Sequence, residues 1–199
     1  MMNIGLTGGI ATGKSTVAAS LVRRGARLVD ADQIAREVVL PGSPTLAEVA
    51  LRFGQDILQE DGTLDRKKLG SIVFADSARR KELESILHPA IRAIMRERMH
   101  QYETETPERL VVVDIPLLYE SGLEHMVSEV MVVYVPRELQ LKRLMERDKL
   151  NSEQAEIRLN AQMDIESKKM RADHVIDNSG TLEQTEQQLD RFWREKAKR

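Results

Sequence analysis

Gly8-Gly9-Ile10-Ala11-Thr12-Gly13-Lys14-Ser15 decides how the rest of this chain is read. A glycine, four residues and then Gly-Lys-Ser is the P-loop pattern. In such a loop the backbone N–H groups cradle the β- and γ-phosphates of a nucleotide. The lysine puts a point charge on the same oxygens, and the Ser15 hydroxyl is a natural Mg²⁺ ligand. The pattern needs a strand before it and a helix after it. Met2-Asn3-Ile4-Gly5-Leu6-Thr7 supplies a short buried first strand. Ser15 to Arg24 reads as a helix, with Val17, Leu21 and Val22 on one side and Gly25 as its stop. A helix N-terminus at Ser15-Thr16 adds its own attraction for anions.

The chain has 199 residues, enough for one sizeable α/β domain with insertions. Thirty basic residues stand against 32 acidic ones, a net charge of -2 that gives no global reason to expect nucleic acid or a membrane surface as partner. The cysteine count is zero, which excludes disulfides and thiolate metal sites and suits a reducing compartment. The first strand begins at the N-terminus, with no secretory leader and no apolar run long enough to span a bilayer, so a cytoplasmic protein is expected.

Ala26 to Asp30 reads as a second strand, followed closely by the acids of Asp30-Ala31-Asp32. An aspartate just past a parallel strand sits where α/β proteins bind ligands. Asp32 suits either an N-cap for a helix over Gln33–Val39 or the carboxylate that accepts a proton from an attacking hydroxyl. Pro41-Gly42-Ser43-Pro44 is a break. Thr45 to Glu105 is mainly helical, with a stripe of Leu46, Val49, Ala50 and Phe53 closed by Gly54 and a turn at Asp61-Gly62. Further helices span Arg66–Ala75 and Ser77–Leu87, and another starts at His88-Pro89. This segment is an insertion between two strands of the core.

Leu110 to Ile115 is a continuous β-branched run bounded by Pro116, as a central parallel strand requires. Asp114 at its end suits either a Mg²⁺ ligand acting through water or a carboxylate bonded to nearby backbone. Val130 to Val135 is another buried strand. A helix over Arg137–Lys149 places Arg143 and Arg147 on one face. Ser152 is expected to cap a further helix that passes Arg158 and Gln162. The last strand is His174 to Asp177, followed by the turn Asn178-Ser179-Gly180 and a closing helix in which Trp193 is a packing anchor. Five strands joined by helical crossovers predict an α/β fold with a parallel sheet.

A guanine-reading Asn-Lys-x-Asp is missing after the later strands, which argues against a GTPase switch. A short core, a helical insertion after the second strand and an arginine-bearing helical segment after the fourth match a small-molecule kinase instead. A nucleotide-dependent binding protein is the alternative from another class, and Asp32 argues against it. The chain resembles the dephospho-CoA kinases. The shared segments are Leu6-Thr7-Gly8-Gly9-Ile10 leading into Gly13-Lys14-Ser15-Thr16, Asp30 to Arg36, Pro41-Gly42, Asp61 to Arg66, Leu87-His88-Pro89, Pro116 to Glu120, Leu141 to Leu144 with Arg147-Asp148, and Ala172 to Gly180. The pair Ala11-Thr12 stands where the family commonly has Gly-Ser.

The resemblance implies transfer of the ATP γ-phosphoryl group to the ribose 3′-hydroxyl of dephospho-CoA, with ATP as co-substrate and Mg²⁺ as metal. It implies a three-layer P-loop kinase fold with strand order 2-3-1-4-5. The core is then residues 1–31, 109–136 and 172–199, with a helical acceptor lobe at 32–108 and a lid at 137–171. Lys14, Asp32 and Arg143 become the catalytic residues. Gly8, Gly9, Ala11, Thr12, Gly13, Lys14, Ser15 and Thr16 hold the donor phosphates, Arg143 and Arg147 cover them, and Asn178 and Gly180 lie beside the adenine. Asp32, Arg36, His88, Arg92, Pro116 and Leu117 bind the acceptor. Ser15 holds Mg²⁺, with Asp32 or Asp114 through water. Asp114 rests on the residue reading alone, because the family pattern lies in the Pro116-Leu117-Leu118 segment after it. The expected partners are these small molecules, with no nucleic acid or membrane, for a monomer or small homo-oligomer.

Overall fold

The computed structural model describes residues 3–196. Met2, read above as part of the first strand, and residues 197–199, read as part of the core, lie outside the described residues. In chain order the elements are β1 (Asn3–Gly8), α1 (Lys14–Arg23), β2 (Arg27–Asp30), α2 (Ala31–Glu37), α3 (Pro44–Phe53), α4 (Arg66–Ala75) and α5 (Ser77–Glu105). They continue with β3 (Val111–Asp114), β4 (Glu129–Tyr134), α6 (Arg137–Asp148), α7 (Ser152–Asn160), α8 (Ile165–Arg171), β5 (His174–Asp177) and α9 (Leu182–Lys196). The chain divides into two compact units. One comprises residues up to Val29 and from Gln101 onward, the other Asp30–His100.

The five strands form one sheet in the expected order β2-β3-β1-β4-β5. The central β1 runs parallel to β3 and β4, and β4 runs parallel to β5. A strand covered on both faces reads as an uninterrupted apolar run, and every residue of β3 is buried. Side chains alternate across the sheet. Ile4, Leu6, Val112, Met131, Val133 and Ile176 share one cluster with Val17 and Leu21 of α1 and with Leu189 and Phe192 of α9. Trp193 packs against that cluster, as its anchor role requires. Gly5 leaves room for the side chains of Leu118 and Val127, since a Cβ there would stand 2.6 Å from Leu118. The layers make the α/β fold predicted from the strand pattern.

The unit Asp30–His100 has its own core. Val49 and Phe53 of α3, Ile57 in the single helical turn after it and Leu69 of α4 are buried, with Leu83, Ile86 and Leu87 of α5 packed against them. The helix ends are set by side chains. The Ser43 hydroxyl accepts from the Leu46 N–H at 3.1 Å, and Asp65 accepts from the Lys68 N–H at 2.9 Å. Gly54 ends α3 with φ at +99°, a conformation that favours glycine.

Three segments differ from their sequence reading. Helix α5 is one 29-residue helix running through Pro89, rather than two helices with a start at His88-Pro89. Leu87 before the proline packs on the core, and Met95 and Met99 after it are buried. Packing on both sides outweighs a proline penalty of about 3 kcal/mol. Asn151, not Ser152, caps α7. Its side chain accepts from the Gln154 N–H at 2.8 Å while the Gln154 side chain accepts from the Asn151 N–H at 3.2 Å. That reciprocal pair satisfies two orphan donors where a serine one place later satisfies neither. Finally, α7 stops at Asn160, so Gln162 lies in the turn before α8, which Asp164 caps. Among the described residues no helix is long and apolar enough to cross a membrane.

Candidate active site

Parallel strands end at one edge of their sheet, and ligands of α/β proteins bind there. Register pairs Leu6 with Asp114, Gly8 with Val133 and Tyr134 with Asp177. The loop leaving β1, the acid ending β3 and the turn leaving β5 therefore meet at that edge. Gly13 caps α1 with φ at +85°, which costs glycine little. Ala11 has φ at +62°, a left-handed conformation that costs a residue with a Cβ about 1–2 kcal/mol. This explains why a glycine is common at that position in the related loop. Ser15 and Thr16 are exposed in the first turn of α1, where the Thr16 N–H donates to the Gly13 carbonyl at 3.0 Å.

The loop carbonyls are held from outside. Lys168 donates to the Gly8 carbonyl at 3.1 Å, Gln140 to that of Ile10 at 2.9 Å and Asn178 to that of Thr12 at 2.8 Å. The Thr12 hydroxyl donates to the Gly9 carbonyl at 2.8 Å. A trans peptide points its C=O and N–H in opposite directions. Holding the carbonyls of Gly8, Ile10 and Thr12 outward turns the N–H groups of Gly9, Ala11 and Gly13 the other way, as an anion cradle needs. The Ile10 N–H points with the outer set and is taken by the Gln162 side chain at 2.8 Å. Ile10 and Ala11 also pack against Leu144 of α6 and Ala155 and Leu159 of α7, which fixes the loop sideways.

Lys14 pairs with Asp114, and both side chains are largely buried. Asp114 thereby meets the lysine of the loop. The Thr7 hydroxyl donates to the Pro116 carbonyl at 3.0 Å, tying the Pro116-Leu117 segment to β1. Arg143 donates to the Asn178 carbonyl at 3.0 Å, while Arg147 is exposed and bonds Asp148 at 2.7 Å. That bond to Arg147 holds the Asp148 carboxyl below its ordinary pKa. The two arginines share a helix face, but only Arg143 reaches the loop cluster. The Asn178 side chain is itself committed, since its Oδ1 accepts from the Thr185 hydroxyl at 2.8 Å. Tyr134, at the end of β4, bonds Glu166 at 2.6 Å, and that bond with burial pushes its phenol pKa up to about 12.

In the other unit, Asp30 and not Asp32 caps α2, accepting from the Gln33 N–H at 3.0 Å. The capping reading of Asp32 is thereby excluded. Asp32 is exposed in the first turn of α2, one turn before Arg36 on the same face. His88 and Arg92 are likewise four apart on α5, His88 exposed and Arg92 partly so. An apolar cleft of about 170 Å³ in this unit is lined by Ala35 and Val39, by Leu69 and Val73 of α4 and by Leu87, with Arg66 also on its wall.

Sequence reasoning missed Gln140 and Lys168, and it named Gln162 and Glu120 without their part in holding the loop. Lys168 is fully buried and pairs with Glu120 at 2.8 Å. Glu120 fell inside a quoted segment, but nothing near Lys168 in the sequence marks it as buried.

The family model described as dephospho-CoA kinase matches residues 2–184. The dephospho-CoA kinase of Shouchella clausii is 53% identical over 188 residues, covering 94% of this chain and 95% of that protein. Among solved structures, the dephospho-CoA kinase from Campylobacter jejuni is 36% identical with a TM-score of 0.78, covering 98% of this chain and 97% of its own. The Thermus thermophilus protein TT1252 is also 36% identical, with a TM-score of 0.80 and the same coverage. With a P-loop at the sheet edge and these relationships along nearly its whole length, the chain belongs to the dephospho-CoA kinase family.

Proposed function

We propose that this chain transfers the γ-phosphoryl group of ATP to the ribose 3′-hydroxyl of dephospho-CoA, giving CoA and ADP. The observation that carries the donor half is the loop Gly8–Lys14, whose carbonyls are held outward by Lys168, Gln140 and Asn178. Phosphoryl transfer asks the protein for placement and charge stabilisation more than for covalent chemistry. The N–H groups of Gly9, Ala11 and Gly13, with Lys14, hold the donor phosphates before reaction, so little reorganisation remains at the barrier. Ser15 would hold Mg²⁺, with Asp114 or Asp32 through water. Oxygen donors few in number suit a hard cation that keeps several waters, and among the described residues no group of three metal-binding side chains demands another metal. When bound, the ion neutralises charge on the β- and γ-phosphates.

Asp32 accepts the proton of, or orients, the acceptor hydroxyl. Its release from the cap role, which Asp30 fills, supports this reading. Arg36, His88 and Arg92 bind the acceptor's anionic groups, with Pro116 and Leu117 alongside. The apolar cleft beside Ala35, one turn from Asp32 on α2, suits an uncharged part of the same molecule. Arg143 stabilises charge on the transferring group, Arg147 covers the phosphates as part of a lid over 137–171, and Asn178 with Gly180 borders the adenine. The test is a coupled assay for ADP with Mg-ATP and a panel of acceptors. Turnover with dephospho-CoA and little with other alcohols is expected. Folded protein that produces no ADP with dephospho-CoA would overturn the proposal.

A further inference from the structure

A fully buried lysine is costly unless its charge is answered. Lys168 has side-chain exposure of 0%, yet it is the middle residue of the seven-residue helix α8, in which its neighbour Lys169 is 41% exposed. Its ammonium has two oxygen partners, the Glu120 carboxylate at 2.8 Å and the Gly8 carbonyl at 3.1 Å. Glu120 is held in turn, accepting from the Met163 N–H at 3.0 Å. A run of bonds thus links the turn before α8, the segment after β3 and the first carbonyl of the phosphate loop.

We infer that Lys168, kept in place by Glu120, is a positioning residue for the donor site. Three side chains from the later half of the chain hold loop carbonyls, and Lys168 is the charged one. A charge-assisted bond is roughly twice as strong as a neutral one. Gly8 is the hinge between β1 and the loop, so fixing its carbonyl fixes the direction in which the Gly9 N–H leaves the sheet. The ammonium also adds a fixed positive charge beside the loop in a medium where charges are weakly screened. Helix α8 packs on β4, so the strand beside β1 carries this support. Lys168 touches no reacting atom in this scheme. It sets how well the loop amides meet a phosphate, and therefore acts on nucleotide affinity.

The inference rests on the donor-site reading above, and ADP binding tests it without reference to the acceptor. Lys168→Met keeps an unbranched side chain one atom shorter and removes its charge. By titration calorimetry with Mg-ADP it should bind about tenfold more weakly than the parent, the loss of one charge-assisted bond and a nearby charge. KM for ATP should rise by a similar factor while KM for dephospho-CoA stays within about twofold, because only donor binding is touched. Glu120→Gln keeps an oxygen for both of its partners and removes only the charge. It should weaken Mg-ADP about threefold, with the same split between the two KM values. It decides the matter where Lys168→Met does not fold. A variant that folds, melts earlier and yet binds Mg-ADP within twofold of the parent would make Lys168 a packing residue only. Equal rises in both KM values would overturn the inference as well. If the parent binds Mg-ADP but turns over no acceptor, the function reading fails while this one remains testable on binding.

Discussion

Gly13→Ala combined with Asn178→Ala measures how far the loop depends on its outer donors. Gly13 sits at φ +85°, and a Cβ built there would overlap the Asn178 side-chain amide. Left-handed backbone costs alanine about 1–2 kcal/mol. Displacing Asn178 removes its bonds to the Thr12 carbonyl and from the Thr185 hydroxyl, both 2.8 Å, at about 1 kcal/mol each. Gly13→Ala should therefore lose about 3–4 kcal/mol of stability. Asn178→Ala alone loses the same two bonds, about 2 kcal/mol. In the double variant the amide is already gone, so only strain adds and the total stays at about 3–4 kcal/mol, against about 5–6 for independent effects. The coupling of about 2 kcal/mol is read from urea unfolding midpoints with unchanged slopes. Both single variants should also weaken Mg-ADP, since each frees the Thr12 carbonyl to rotate. Losses that add to within about 0.5 kcal/mol would refute the reasoning, because the Cβ would then not reach the amide.

Other outcomes follow from the same geometry. Lys14→Ala and Asp32→Asn should each lower kcat by on the order of 10² or more, read in the ADP assay, and near-full kcat in Asp32→Asn would leave that carboxylate without a catalytic role. Glu129 accepts from Lys196 and from His174 Nε2, and the Lys196 bond first, against burial and with His174 adding, holds its carboxyl below the ordinary 4.5. A depressed carboxyl stabilises the fold above its unfolded pKa and loses that contribution as pH falls through the folded value. Glu129→Gln should thus cost about 2 kcal/mol in denaturant melts at pH 7, with the difference from the parent shrinking below about pH 4. Pro89→Ala restores a helical N–H inside α5 and should raise stability by about 1–2 kcal/mol in the same melts; a less stable variant would show that α5 depends on the proline's shape.

The parts legible in the sequence are those whose chemistry is local. The loop is eight consecutive residues. The buried strands are short β-branched runs, and Val111–Asp114 needs no neighbour to be recognised. Helix starts were less legible because capping turns on single positions. Asp30 and Asp32 are both good capping residues two places apart, and the strand's exit angle at Asp30, with φ at -101°, chose between them. Ser152 lost to Asn151 in the same way. Lys168 and Lys169 are adjacent lysines in one charged helix, so no local pattern separates them. Lys168 is buried by partners 160 and 48 residues earlier in the chain (168 less 8 and 168 less 120), which only the folded sheet brings together. Pro89 misled for the complementary reason, since its local penalty is outweighed by packing on both sides.

The glycines of the loop are usually explained from the phosphate side, as room for a ligand to approach the backbone. Here the outer side is equally crowded. The place a Cβ would take at Gly9 is filled by the Gln140 amide, and at Gly13 by the Asn178 amide. Each amide uses that closeness to bond a loop carbonyl, Gln140 at Ile10 and Asn178 at Thr12. A side chain at either glycine would push out the donor that turns the neighbouring peptide. At Ala11 a Cβ is tolerated, at a conformational cost, and packs against the apolar cluster of Leu144 and Leu159. The loop can thus replace glycine where the outside is apolar and not where it supplies a donor. The spacing of glycines at Gly9 and Gly13 matches where α6 and the turn after β5 touch the loop.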